Sequence, residues 1–144
     1  MTSTDLIAVL ENWLNNGTAL LQLEIDEGAV VMMRHACGVA CRAMIPLPAP
    51  PDDRVLERAL QLAEVARDQF HEETAMLSMS PEDGQLWLWM RHDPDDVFQL
   101  CRTLETLLNQ RDVWVGLLSP PTRSTTSASL NLNTLAFWQG EHHA

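Results

Sequence analysis

Four prolines within residues 46–51, Pro46-Leu47-Pro48-Ala49-Pro50-Pro51, constrain this chain more than any other feature. Proline lacks an amide hydrogen and has a fixed φ, so the block cannot continue a β-ladder. It is a stiff, extended connector. Before it, Leu6, Val9, Leu10, Trp13 and Leu14 fall at helical spacing. Thr4 or Ser3 can cap this helix, Asp5 sits in its positive first turn, and Asn15-Asn16-Gly17 ends it. Leu21, Leu23 and Ile25 then alternate with Gln22 and Glu24, the pattern of a half-buried strand. Asp26-Glu27-Gly28 predicts a tight hairpin with Gly28 at positive φ. Ala29 to Arg34 is the return strand, His35 to Gly38 a second turn, and Val39 to Ile45 a third strand.

Beyond the prolines, Asp52 or Asp53 starts a second helix that runs to about Phe70. Its apolar positions (Val55, Leu56, Ala59, Leu60, Leu62, Ala63, Val65, Ala66, Phe70) are wider than one stripe. Such a helix needs two neighbours, and a partner subunit is a reasonable second one. Thr74 to Ser80 reads as a strand, Pro81 to Gly84 as a turn, and Gln85 to Arg91 as another strand. Trp87 and Trp89 share one face of that last strand, and Leu86, Leu88 and Met90 take the other. An unbroken apolar run means that both faces are covered or that one is an exposed apolar surface. A third helix is expected near Asp93-Pro94-Asp95-Asp96, with proline in its first turn. It buries Val97, Leu100, Cys101, Leu104, Leu107, Leu108 and Trp114 or Val115, and Gly116 with Pro120-Pro121 stops it. The order is α-β-β-β-α-β-β-α, an α+β domain with helices packed on a twisted antiparallel sheet.

Composition narrows the function. The chain is 46% apolar over 144 residues, which suits one folded domain rather than disorder. Its longest apolar runs are about five residues, too short to cross a bilayer. The start, MTSTDLIAVLENWL, has no basic region, so no signal peptide is expected. Three cysteines cannot close a disulfide framework and point to a reducing cytosol. Twenty acids oppose nine bases, all of them Arg, for a net charge of −11. Such a chain repels phosphate backbones and anionic lipid, so neither nucleic acid nor membrane is an expected partner. The same charge favours solubility and could hold a sticky partner in solution. All of it lies in residues 1–118; residues 119–144 carry only Arg123 and Glu141. This stretch opens Ser-Pro-Pro, is rich in Ser and Thr, and reads as a C-terminal tail outside the main domain. Its Leu130, Leu132, Leu135, Phe137 and Trp138 allow docking through 130–138. The run LNLNTLAFW alternates at Leu130 and Leu132, as a strand bound to this chain or to a neighbour would.

Candidate chemistry is sparse. His35, Cys37 and Cys41, with Cys101 to complete a set, are the best metal donors, but their spacing is not a recurring zinc pattern. Two buried strand cysteines and a turn histidine are the plainer reading. Asp93, Asp95 and Asp96 lack the glycine and closing glutamate of a calcium loop and read as helix N-terminal acids. Glu72-Glu73 after His71 reads as a solvated helix end, and His142-His143 is too short for a metal tract. There is no phosphate loop, dinucleotide motif or nucleophile elbow. No catalytic residue, metal or cofactor is therefore expected. Met32, Met33, Met44, Met76, Met79 and Met90 all fall on expected strands, where their adaptable side chains suit pockets for an extended peptide.

Over residues 4–118 the sequence resembles the class I type III secretion chaperones, the Tir chaperone-like group. The matching pieces are the leading amphipathic helix, LQLEIDEGAVVMM, the connector IPLPAPP with the Leu/Ala-rich helix after it, TAMLSMSPEDGQLWLWMRH, and the last helix ending RDVWVGLL. The resemblance implies a homodimeric secretion-chaperone fold in the bacterial cytosol. It implies a partner too: the N-terminal chaperone-binding segment of a secreted effector, held extended, soluble and ready for export. Some members also contact the secretion ATPase. By this resemblance effector binding falls on the first helix and first three strands, here Leu6, Leu10, Trp13, Leu21, Leu23, Val31, Met33 and Met44. The dimer interface falls on the second helix and the strand after it, here Leu56, Leu60, Ala63 and Met76; the face of Trp87 and Trp89 is read from its own pattern as dimer interface, with partner binding as the alternative. Two alternatives stand beside it: a small metal-binding regulator or enzyme using His35, Cys37 and Cys41, and a dimeric adaptor acting through the tail.

Overall fold

A computed structural model of the chain describes residues 2–93 and 96–120. Its elements are α1 (Ser3–Asn16), β1 (Leu20–Ile25), β2 (Gly28–His35), β3 (Gly38–Met44), α2 (Asp53–Phe70), a short 3-10 turn (His71–Glu73), β4 (Met76–Met79), β5 (Leu86–His92) and α3 (Val97–Leu118). The strands form one antiparallel sheet in the order β1-β2-β3-β5-β4. The proline block ends the β1–β3 meander, and the chain returns to place β5 beside β3. The expected α+β order is the observed one.

Several local expectations need correction. The α1 cap is Thr2 rather than Thr4 or Ser3. Its hydroxyl accepts from the Asp5 amide (3.2 Å), and the Asp5 carboxylate accepts from the Thr2 amide (3.0 Å) and hydroxyl (2.7 Å). This reciprocal pair satisfies orphan donors at the helix start, with aspartate in the place glutamate usually takes. These bonds from Thr2 hold the Asp5 carboxyl below the usual range. In the β1–β2 hairpin, positive φ falls on Asp26 (49°) and Glu27 (63°), not on Gly28. Ile25 pairs with Gly28, so the loop has two residues and demands left-handed backbone at both. The α3 helix starts at Val97 behind an Asp96 cap, so Pro94 precedes the first turn and lies, with Asp95, outside the described residues. Gly116 continues the helix, which ends at Leu118. The tail from 121 onward also lies outside the described residues.

Among the described residues, one face of the sheet is packed by helices and the other is open. Val30, Met32, Val39, Cys41, Ala43, Leu86 and Leu88 are buried against α1 and α3. From α1 come Leu10 and Trp13; from α3 come Leu100, Leu104, Leu107, Trp114 and Leu118. Burial alternates strictly along β3, the signature of a sheet packed on one side. Helix α2 packs against α3 and the 3-10 turn rather than across the sheet. Only its Ala59 is buried, and Leu60 is 74% exposed.

Three polar contacts tie the layers. Arg34 on β2 donates through Nη2 to the carbonyls of Trp13 (2.8 Å) and Leu14 (2.7 Å) and stacks 5.0 Å from the Trp13 ring centroid. It thus places a cation at the negative end of α1. Buried Gln110 on α3 accepts from the Ala75 amide (2.8 Å) and donates to the Glu73 carbonyl (2.5 Å), fixing the entry to β4. Arg111, 1% exposed, lies 3.9 Å from the Asp26 carboxylate in the first hairpin.

Candidate functional site: an open sheet face and edge

Register places Met33 and Val31 of β2, Ala40 and Arg42 of β3, Trp89 of β5 and Met76 of β4 in cross-strand rows on the open face. Met44 pairs with Trp87 in the adjoining row, and Ser78 lies beyond it. All of these are half-buried or exposed, Met33 at 36% and Met76 at 52%. Arg42 sits 4.8 Å from the Trp87 ring centroid, a cation stacked on an aromatic within the sheet surface. The result is an apolar platform that carries two arginines, Arg42 and Arg91.

The structure sorts the expected site residues into four places. Leu10 and Trp13 are core residues, 0% and 3% exposed, with no surface to offer a partner. Their helical spacing faces the sheet, so they leave the candidate set. Leu6, Leu21 and Leu23 are half-buried on the packed side, against the same core. Val31, Met33 and Met44 lie on the open face together with Trp87, Trp89 and Met76. Two groups that sequence separated, effector-binding and dimer-forming, thus share one surface. Leu56, Leu60 and Ala63 lie on α2; Leu60 and Ala63 line a cavity of about 450 Å³ with Ala66, Met76, Leu77 and Trp114.

The site residue that sequence missed is Arg42. It is one Arg among nine, and only the register puts it over Trp87.

Cys41 is buried on the packed side, and burial pushes its thiol up to about 12. Cys37 is exposed in the second turn, where its amide donates to His35 Nδ1 (3.3 Å). Strand β3 therefore separates the two cysteines by placing one in the turn and the other in the core. No cluster of three metal-ligating side chains occurs among the described residues. The metal-binding alternative has no assembled site to rest on. None of the described helices is long and apolar enough to cross a membrane.

Among the described residues the sheet has two edges, β1 and β4. A two-residue hairpin closes on a hydrogen-bonded pair, here Ile25 with Gly28, and such pairs recur every second residue. The Arg34 amide donating to the Ala19 carbonyl (2.8 Å) has the same parity. The main-chain groups of Leu20, Gln22 and Glu24 therefore point out from the sheet at the β1 edge.

No protein-family model matches the chain, and no curated protein matches it in sequence. Solved structures do. A chain of the heterodimeric ExoU–SpcU complex from the type III secretion system of Pseudomonas aeruginosa is 26% identical, with a TM-score of 0.50 over 77% of this chain and 95% of that one. A chain of the ExsC–ExsE complex matches with TM-score 0.59 at 19% identity, over 86% and 100%. A chain of the HopA1–SchA chaperone–effector complex matches with TM-score 0.51 at 13% identity, over 81% and 98%. The latter two speak to the fold alone, and they agree with the first on it. An antiparallel five-stranded sheet, helices on one face of it, and this likeness make the chain class I type III secretion chaperone-like.

Proposed function

We propose that this protein is a non-enzymatic secretion chaperone that binds the N-terminal segment of a type III secreted effector in extended form. The observation that carries the reading is the open sheet face, where Val31, Met33, Met44, Trp87 and Trp89 form an apolar platform beside strand edges that no described strand pairs. An extended peptide gains main-chain hydrogen bonds at an edge and sets alternate side chains on such a face. The adaptable methionines suit more than one side-chain shape. The net charge of −11 keeps the complex soluble while the client segment stays unfolded. The ExoU–SpcU and HopA1–SchA complexes support the reading, the latter being a chaperone–effector pair.

A homodimer completes the proposal. Leu60 and Met76 are exposed apolar side chains on α2 and β4, and both line the cavity floored by Trp114. A second copy would cover them and leave the β1 side of each sheet for the client. The cytosol is the proposed site of action, and the secretion ATPase a further partner at delivery.

The test is affinity capture from the native cell, then limited proteolysis of the captured protein. The expected result is a protected segment near that protein's N-terminus. The double variant Met33→Glu/Trp89→Glu should lose capture while its far-UV circular dichroism stays unchanged. A strictly monomeric chain by light scattering, or a variant that captures as well as the parent, overturns the reading.

A further inference from the structure

We propose that the open sheet face selects an acidic side chain: Arg42 takes a carboxylate of the client segment, carried on an extended strand with apolar residues two positions to either side. The inference rests on the chaperone reading for the kind of partner, and on the sheet itself for the chemistry.

Charge on the sheet runs against charge on the chain. The whole sequence has 20 acids and nine bases. The five strands carry one acid, Glu24, and three arginines, Arg34, Arg42 and Arg91. These arginines differ in what they already hold. Arg34 donates to the Trp13 and Leu14 carbonyls. Arg91 is exposed near the end of β5, where it lines a cavity with Glu72 and Glu73. Arg42 is half-buried on a central strand and makes no ion pair or side-chain hydrogen bond among the described residues. Its neighbours by register are Val31 and Trp89 in its own row, with Ala40 and Met44 along β3. Glu24 is two strands away, about 10 Å, in the next row. A cation in this position costs little while water reaches it. Once a partner covers the face it costs a great deal, unless the partner brings a counter-charge.

The guanidinium is also held in place. Its centre lies 4.8 Å from the Trp87 ring centroid, so the ring covers one of its faces and leaves the N–H edges in its plane. A carboxylate accepts from two such N–H groups at once, whereas an amide brings no charge and an ammonium repels. The Trp87 indole N–H, buried and without an acceptor among the described residues, leaves the same corner short of acceptors.

Strand geometry sets the rest of the ligand. Residues of an extended peptide that face the sheet recur every second position. With a carboxylate over Arg42 and the peptide along β3, the residues two before and two after lie over Ala40 and Met44. Met33 pairs with Ala40 and Trp87 with Met44, so both flanking positions are apolar. The small Ala40 leaves room for a large side chain between Met33 and Arg91.

The experiment titrates three synthetic peptides into the full chain and follows tryptophan fluorescence. They are Ser-Leu-Ser-Leu-Ser-Xaa-Ser-Leu-Ser-Leu-Ser with Glu, Gln or Lys at the centre. The net charge of −11 by itself predicts that the Lys peptide binds best. The expected order is the reverse: Glu at least about tenfold tighter than Gln, and Lys weakest. In Arg42→Gln the Glu and Gln peptides should bind alike, while Arg91→Gln keeps the preference. Glu and Gln peptides that bind the parent equally overturn the proposal, as does failure of all three to bind it. So does a preference that survives Arg42→Gln, or one that Arg91→Gln abolishes as fully, which would assign it to diffuse positive charge. None of these outcomes bears on client capture, which the Met33→Glu/Trp89→Glu variant decides separately; a parent that captures a client and shows no Glu preference sinks this inference alone.

Discussion

Gly28→Ala tests how the first hairpin is locked to the core. An alanine Cβ at this position would lie 2.7 Å from Arg111 Nη1 and 3.2 Å from the Met44 carbonyl oxygen. The carbonyl is backbone and cannot swing away. The guanidinium is the end of a long side chain, but Arg111 is 1% exposed and has little room to move. Overpacking of this kind costs about 1–3 kcal/mol. Against that, alanine in a strand interior recovers about 0.5–1 kcal/mol of the backbone entropy that glycine loses. The expected net loss is about 1–2 kcal/mol, read as a shift in the denaturation midpoint at one fixed protein concentration. Arg111→Met removes the closer of the two contacts, so Gly28→Ala should cost less in that background, with a coupling of about 1 kcal/mol. A Gly28→Ala variant within about 0.5 kcal/mol of the parent, or strict additivity with Arg111→Met, would show that the guanidinium does not brace the hairpin. The β1 edge would then owe its position to pairing with β2 alone.

Other consequences are as direct. Arg34→Ala removes two charge-assisted bonds to the end of α1 and a stacked cation, and should cost about 2 kcal/mol with a change in near-ultraviolet dichroism from Trp13. Asp5 is a carboxylate whose folded pKa lies below its ordinary value of 3.8. Its contribution is therefore present above that value and lost as pH falls through the folded pKa, so α1 amides should exchange faster there first; Asp5→Asn should remove this pH dependence. At pH 8 a thiol held near 12 is about one part in ten thousand thiolate, so a disulfide reagent should label Cys37 quickly and leave Cys41 untouched until the chain is unfolded. Equal rates for the two would mean that β3 opens readily.

The elements were legible because each carries its own local signal. The helical spacing of Leu6 to Leu14, the alternation of Leu21 to Ile25 and the proline block each specify one local conformation. Cap and turn details were less legible where two neighbours compete. Thr2, Ser3 and Thr4 are all capable caps, and Thr2 wins because Asp5 stands three residues on to return the bond. In Asp26-Glu27-Gly28 the glycine draws attention as the residue free to take positive φ. The register instead needs both preceding residues left-handed, and Gly28 is small because Arg111 packs on it. Nothing local could reveal that, since Gly28 and Arg111 meet through the tertiary fold. Gln110 and Arg111 fall on the same helix face as Leu107 and Trp114, so spacing places them in the buried stripe; what it cannot supply is their partners, the main chain at Glu73 and Ala75 and the Gly28 hairpin, which they meet through the tertiary fold.

The same distinction between local and tertiary information explains why the candidate site was read as two. Sequence order puts Met33 in the first half of the chain and Trp87 and Trp89 in the second, so the two were read with separate duties. The β3–β5 pairing removes that separation by laying the second half directly beside the first. Arg42 then meets Trp87, and one surface runs from Met33 to Met76. The row Met33–Ala40–Arg91 crosses the seam, as does the row Val31–Arg42–Trp89–Met76. A peptide lying across this face would touch residues from both halves at once. Client binding should therefore depend on the β3–β5 seam. Ala40→Glu, at its centre and half-buried on the open face, should weaken capture as strongly as a substitution at Met33, although neither helix nor edge is altered. Capture that survives Ala40→Glu but fails with Met33→Glu would confine the client to β1 and β2 and break the single-surface argument.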